Sequence, residues 1–276
     1  MNQNYSYTSL SGNEISITTF GNENILNGEC ITIVHGFKGF KDWGFFPYTA
    51  QYLADQGFFV ITFNFSHNGI GENKYEFTEL DKFSNNTFSL ELEELSEIVD
   101  AYKKNYFGNS NNNKIGFLGH SRGGAISLLS ANELRSISAV ATWASVSNLD
   151  RYAVRQKEEW RKKGYFAVMN MRTKQEMRIN ISLLNDLEEN ILGKLNIKRA
   201  VANLNIPLLF AHGREDLAVK FTEAESLFNV SDKLLSELYL IDNTGHTFGC
   251  VHPFEGTNQK HDELLNKTSK FFKKNI

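Results

Sequence analysis

The chain has 276 residues, 41% of them hydrophobic and 22% charged, with 29 Lys and Arg against 32 Asp and Glu for a net charge of −3. That composition excludes a disordered, collagenous or disulfide-scaffold protein, and the length allows a large core in one or two domains. The near-neutral balance supplies no field to draw a phosphate backbone, so no nucleic-acid partner is expected.

The most apolar run, GFFVITF at 57–63, is seven residues long, against the ~20 a membrane-spanning helix needs. No membrane association is expected. The opening MNQNYSYTSLSGNE lacks the basic and apolar stretches of a secretory signal. Cys30 and Cys250 lie far apart without ligand spacing, so free thiols in a reducing cytoplasm are expected.

Apolar runs alternate with helical patterns through most of the chain, the mark of a largely parallel sheet with crossover helices. Residues 5–10 and 14–19, joined through Ser11-Gly12-Asn13, read as an opening hairpin. Residues 31–34 (ITIV) form a buried strand running into His35-Gly36-Phe37. A helix is predicted over 47–56, started by Pro47 and stopped by Gly57. The next strand, 58–65 (FFVITFNF), is apolar almost throughout, as a central strand covered on both faces must be. A polar loop without clear period runs over 66–86.

Phe88, Leu92, Leu95, Val99, Tyr102 and Tyr106 then step along one face of an amphipathic helix. A polar loop over 109–113 leads to a short strand at 114–119 (KIGFLG), a helix over 122–134 and a strand at 139–146 (AVATWASV). Strands at 207–211 (PLLFA) and 238–241 (LYLI) bracket a helix near 222–228, and a terminal helix covers 258–273.

From 148 to 205 the alternation stops. Within 150–178 nine Lys or Arg stand against four Asp or Glu, and 168–180 alternates like a small hairpin turning near Thr173-Lys174. This segment reads as an inserted cap, giving a core of 1–147 and 206–276 with a cap of 148–205.

Gly119-His120-Ser121-Arg122-Gly123 matches G-x-S-x-G with a strand before it and a helix after it, the context the motif requires. A side chain at either glycine collides with a neighbouring strand or helix where the backbone turns so tightly. The turn projects the Ser121 hydroxyl beyond the sheet and sets the Arg122 N–H at a helix N-terminus, facing developing negative charge.

Asp216, in HGRED, and His246, in NTGH, follow the ends of the two later strands. Carboxyl ends of parallel strands share one edge, so Ser, Asp and His arrive together in that chain order. His246 takes the Ser121 proton and Asp216 orients and stabilises the imidazole. Glu215 is the alternative acid and His252 the alternative base. Cys250 has no elbow of its own and reads as a buried, inert thiol.

On these motifs the chain resembles α/β-hydrolase-fold enzymes over nearly its whole length, a mostly parallel twisted sheet flanked by helices with an inserted cap. HGFKGFKDWGFFP, GHSRGG, HGREDLAV and NTGHTFG resemble bacterial cinnamoyl (feruloyl) esterases and dienelactone-hydrolase-like esterases. Serine aminopeptidases and acyl-peptide hydrolases share much of the pattern. The resemblance implies a second oxyanion-hole N–H from Phe37 and a cap where 148–205 interrupts the alternation. The nucleophile position holds Ser121, not the Cys of typical dienelactone hydrolases or the Asp of haloalkane dehalogenases and epoxide hydrolases.

His67 and Asn68 follow the 58–65 strand and reach the same rim, as substrate contacts or as loop-stabilising groups. Trp160, Tyr165, Phe166 and Met169 either line an acyl pocket or bind the cap to the core. The aromatic cluster from Phe37 to Tyr48 reads mostly as packing. The cap's positive charge is a solvated face or a recruiter of anionic esters. No His cluster has metal-ligand spacing, so no metal and no cofactor are expected.

The expected activity is hydrolysis of small carboxylic esters through an acyl-enzyme. The same residues serve a peptidase, a thioesterase or an acyltransferase, and the fold alone can serve a non-catalytic ligand-binding protein.

Overall fold

The alternation at the start produces β1 (Gln3–Thr8) and β2 (Glu14–Phe20), paired antiparallel with Thr8 opposite Glu14. The structure is a computed structural model that describes residues 2–73, 75–111, 114–171 and 173–276. β3 (Cys30–Val34), α1 (Phe46–Asp55) and β4 (Phe59–Phe63) follow, and every residue of both strands is buried. Burial of whole strands requires cover on both faces. Along β3 and β4 the side chains divide accordingly: Phe59 and Ile61 enter one core, Ile31, Ile33 and Val60 the other.

The stretch expected as an unbroken loop carries a single-turn helix, α2 (Leu80–Ser84). Buried Phe77 and Phe83 anchor it; one turn is too short to display a period. α3 (Phe88–Lys103) starts where the Thr87 hydroxyl accepts the Leu90 N–H at 3.1 Å, an N-cap. Residues 112 and 113 of the loop predicted over 109–113 lie outside the described residues. β5 (Ile115–His120), α4 (Arg122–Glu133) and β6 (Ile137–Trp143) then complete the centre of the sheet.

Between β6 and the next sheet strand come α5 (Val154–Lys163), the hairpin β7 (Tyr165–Asn170) and β8 (Gln175–Asn180), then α6 (Ile181–Asn190) and α7 (Ile197–Asn203). The hairpin is present with Asn170 opposite Gln175; of its turn, residue 172 lies outside the described residues. Polar contacts fasten the segment to the core. The Ser89 N–H donates to Asp186 Oδ2 at 3.0 Å, Asn180 Nδ2 to Asn85 Oδ1 at 2.8 Å, and Gln175 Nε2 to the Phe77 carbonyl at 3.1 Å. α7 packs on α4.

β9 (Leu208–Gly213), α8 (Thr222–Val230), β10 (Ser236–Ile241) and α9 (Gln259–Asn275) finish the chain. The sheet order is β1-β2-β4-β3-β5-β6-β9-β10, parallel from β4 onward and antiparallel at β1–β2 and β2–β4. α1 and α9 cover one face, while α3, α4 and α8 cover the other. No helix among the described residues is long and apolar enough to cross a membrane. Cys30 and Cys250 are buried free thiols, and burial pushes Cys250 up to about 11, which keeps it protonated.

Candidate active site

The site begins at the junction of β5 and α4. Ser121 has φ 56° and ψ −123°, a conformation that a non-glycine residue holds only under strain. The neighbouring glycines make the turn sterically admissible. A Cβ on Gly119 would lie 2.6 Å from the Gly124 Cα, and one on Gly123 would lie 2.2 Å from the Val34 carbonyl oxygen. α4 starts at Arg122, so its N–H is one of the donors left unpaired within the helix.

The His246 ring links the other two residues. Its Nε2 stands 3.1 Å from Ser121 Oγ, and its Nδ1 donates to Asp216 Oδ2 at 2.7 Å. Ser121 lies at the end of β5, Asp216 just past β9 and His246 just past β10, so the shared strand edge assembles them as the chain order requires. Asp216 is buried, which opposes its ionisation. Hydrogen bonds from His212, His246 and the Val219 N–H outweigh that cost and hold the carboxyl well below the usual carboxylate range. The adjacent Glu215 is exposed. His252 accepts the Gly44 N–H at 2.9 Å and stacks on Trp43, which commits its ring to the loop after β3.

Two histidines that the motifs did not single out support this arrangement. His212 is fully buried, and its Nε2 sits 3.1 Å from Asp216 Oδ2 and 2.8 Å from the Val219 carbonyl. Both neighbours are acceptors, so Nε2 carries the proton. His120 Nε2 donates to the His246 carbonyl at 2.9 Å. Burial, with the nearby His246, pushes His120 down to about 3, so it stays neutral. Each stands in a motif quoted above, but nothing in the local pattern marks its partner.

Two clefts open from Ser121 and His246, sharing Phe37 and Lys38. One, of about 310 Å³, is walled by Trp43, Phe46 and Met171. The other, of about 490 Å³, is walled by Phe88, Val146, Leu149 and Tyr152, with Arg122 and Arg151 beside them. The Phe37 ring lies under the Arg122 guanidinium at 4.8 Å and against Phe83. Arg122 Nη2 pairs with buried Glu91 at 2.6 Å.

The other residues singled out from sequence sit elsewhere. His67 Nδ1 is 2.7 Å from Ser66 Oγ; burial and Lys82 hold this imidazole below its ordinary range. Trp160 is completely buried and packs with Tyr152 and Phe166, at ring distances of 5.1 and 5.5 Å. His67, Trp160 and Phe166 line neither cleft. Trp160 and Phe166 therefore pack within the segment between β6 and β9, and Tyr152 is the member of that cluster that faces a cleft.

A strained serine between a parallel strand and a helix, with a histidine on its hydroxyl and this strand order around it, defines an α/β-hydrolase-fold serine hydrolase. The chain belongs to the prolyl oligopeptidase family (Peptidase_S9), whose model matches residues 43–276. Among solved structures, the α/β hydrolase GrgF from Penicillium sp. sh18 shares 15% identity over 99% of this chain and 98% of its own, with a TM-score of 0.75. Est1E from Butyrivibrio proteoclasticus, solved with ferulic acid bound, shares 18% over 96% of both chains at 0.68. The Pyrococcus furiosus esterase Pf2001 shares 20% over 100% of this chain and 91% of its own at 0.65. At these identities the likeness shows the fold. No curated protein sequence matches the chain.

Proposed function

We propose that this hydrolase cleaves small carboxylic esters through an acyl-enzyme on Ser121. Residues 148–205 act as the cap over a core of 1–147 and 206–276. One observation carries the reading: the His246 imidazole bridges the Ser121 hydroxyl at 3.1 Å and the Asp216 carboxylate at 2.7 Å. Ser121 Oγ bonds to the ester carbonyl carbon while its proton passes to His246 Nε2. The carbonyl oxygen, now negative, is received by the Phe37 and Arg122 N–H groups. Collapse breaks the bond to the alkoxy oxygen, which leaves with the His246 proton. Water, deprotonated by His246, then releases the acid and restores Ser121.

Peptide cleavage is the second reading, favoured by the family to which the chain belongs. Against an aminopeptidase, neither cleft has an Asp or Glu among the described residues that line it, so a substrate's α-ammonium group meets no anion. The test is fluorophosphonate labelling read by intact mass, with p-nitrophenyl esters and aminoacyl anilides assayed side by side. One adduct on wild type, none on Ser121→Ala and faster ester turnover are expected. No adduct on folded protein overturns the mechanism, and anilide turnover matching ester turnover overturns the substrate class.

A further inference from the structure

The larger cleft holds an imbalance of charge. Lys38, Arg122 and Arg151 line it, and no carboxylate does among the described residues. Two of these cations are already matched from behind the wall, Arg122 by Glu91 and Arg151 by Glu223. Lys38 is not. Its Nζ reaches the Met169 carbonyl at 3.4 Å and lies 5.5 Å from the Phe37 ring centre, with no ion pair among the described residues.

Three features make this lysine more than a solvated surface charge. It lines both clefts at the point where they meet Ser121 and His246. Its backbone is held at φ 56°, in the left-handed region that disfavours a side chain; glycine would sit there without strain, yet the position carries a cation. It is half-buried, and burial holds its ammonium below the ordinary lysine range. A desolvated charge of this kind is stabilised by an anion placed against it.

We propose that Lys38 is a specificity-determining residue that selects esters whose acid half carries a second carboxylate, by donating an Nζ–H to that group while the acyl chain lies in the larger cleft. Phe88, Val146, Leu149 and Tyr152 supply the apolar walls for the intervening methylenes. Arg122 and Arg151 add to the local positive potential although each is paired. The inference rests on the esterase reading given above.

The test compares p-nitrophenyl hydrogen adipate with p-nitrophenyl methyl adipate, which differ by one charge at the far end of the acyl chain. The wild type is expected to prefer the anionic ester in kcat/KM. Lys38→Met is expected to reduce that preference about tenfold, the scale of one charge-assisted hydrogen bond, and Lys38→Glu to reverse it. A preference that is unchanged in both variants, including the case where both esters slow equally because Lys38 assists the oxyanion, overturns the inference. Wild-type protein that labels with fluorophosphonate but releases p-nitrophenol from neither ester overturns the esterase reading instead. Thermal unfolding of both variants shows that each compared protein is folded.

Discussion

His120 donates its Nε2–H to the carbonyl oxygen of His246 at 2.9 Å, with the two rings 4.8 Å apart. The residue before the proposed nucleophile thus fixes the backbone of the residue proposed to deprotonate it. His120→Ala leaves a part-buried carbonyl unpaired, a cost of about 1–3 kcal/mol. It also frees the His246 loop to drift from Ser121. The expected result is a lower urea midpoint and a reduced kcat on a p-nitrophenyl ester with KM little changed. His120→Gln, which restores a donor, should recover part of kcat. A kcat that does not move in His120→Ala would refute this positioning role.

Asp216 carries more than one duty. Its Oδ1 accepts the Ala218 and Val219 N–H groups at 2.9 Å each, and its Oδ2 accepts from both His246 and His212. Asp216→Asn turns one oxygen into a donor facing donors. Under the proposed mechanism, turnover should drop by roughly 10⁴, the usual cost of losing control of the imidazole tautomer. Unlike Ser121→Ala, the variant should also lose stability by about 1–3 kcal/mol, because its loop loses an anchor. Paired urea melts of the two variants distinguish a purely chemical residue from one that also holds the loop.

Gly123→Ala tests the packing at the elbow. Its Cβ would fall 2.2 Å from the Val34 carbonyl oxygen and 2.4 Å from that of His35, so β3 and α4 must separate. Destabilisation above about 3 kcal/mol is expected, within the range of severe backbone and overpacking effects. Soluble protein with a wild-type melting curve would contradict this account of the turn.

Acid should destabilise the fold before the carboxylates of the surface titrate. Burial holds His35 and His261 down to about 4 and His120 to about 3. In the unfolded chain these groups take up protons near their ordinary 6.5. Between those values the unfolded state binds more protons, so stability is full above about 6.5 and is lost as pH falls toward 4. Burial acts the other way on Glu94, pushed up to about 7, and also raises Glu91. A net of one to two protons remains, a slope of about 1–3 kcal/mol per pH unit near pH 5. Urea unfolding at pH 7, 6 and 5 measures it, and stability that rises on acidification would contradict the sign.

Elements with long or repeated patterns are legible in the residues alone, and so is the turn that carries the proposed nucleophile. β3, β4, β5 and β9 are buried along their whole length and read as predominantly apolar runs, and α3 shows its stripe over four turns. The elbow is legible because its constraints are local: a strand, two glycines without room for a side chain, and a helix, all within a few residues. The order Ser121, Asp216, His246 was legible too, because parallel strands deliver their ends to one edge.

The rest depends on long-range packing. Ser121 and His246 are separated by 125 positions, and which histidine meets which oxygen depends on how their loops pack, not on the residues beside them. Tertiary packing buries the Asp216 carboxylate against two imidazoles and leaves that of Glu215 exposed. It also sent Trp160 and Phe166 inward and left Tyr152 at the cleft. An aromatic side chain has the same sequence signature whether it fills a core or lines a pocket. The pairing of Arg122 and Arg151, and the absence of such an ion pair at Lys38 among the described residues, are long-range facts of the same kind. A charge is written in the sequence, but whether an opposite charge reaches it is settled by the fold.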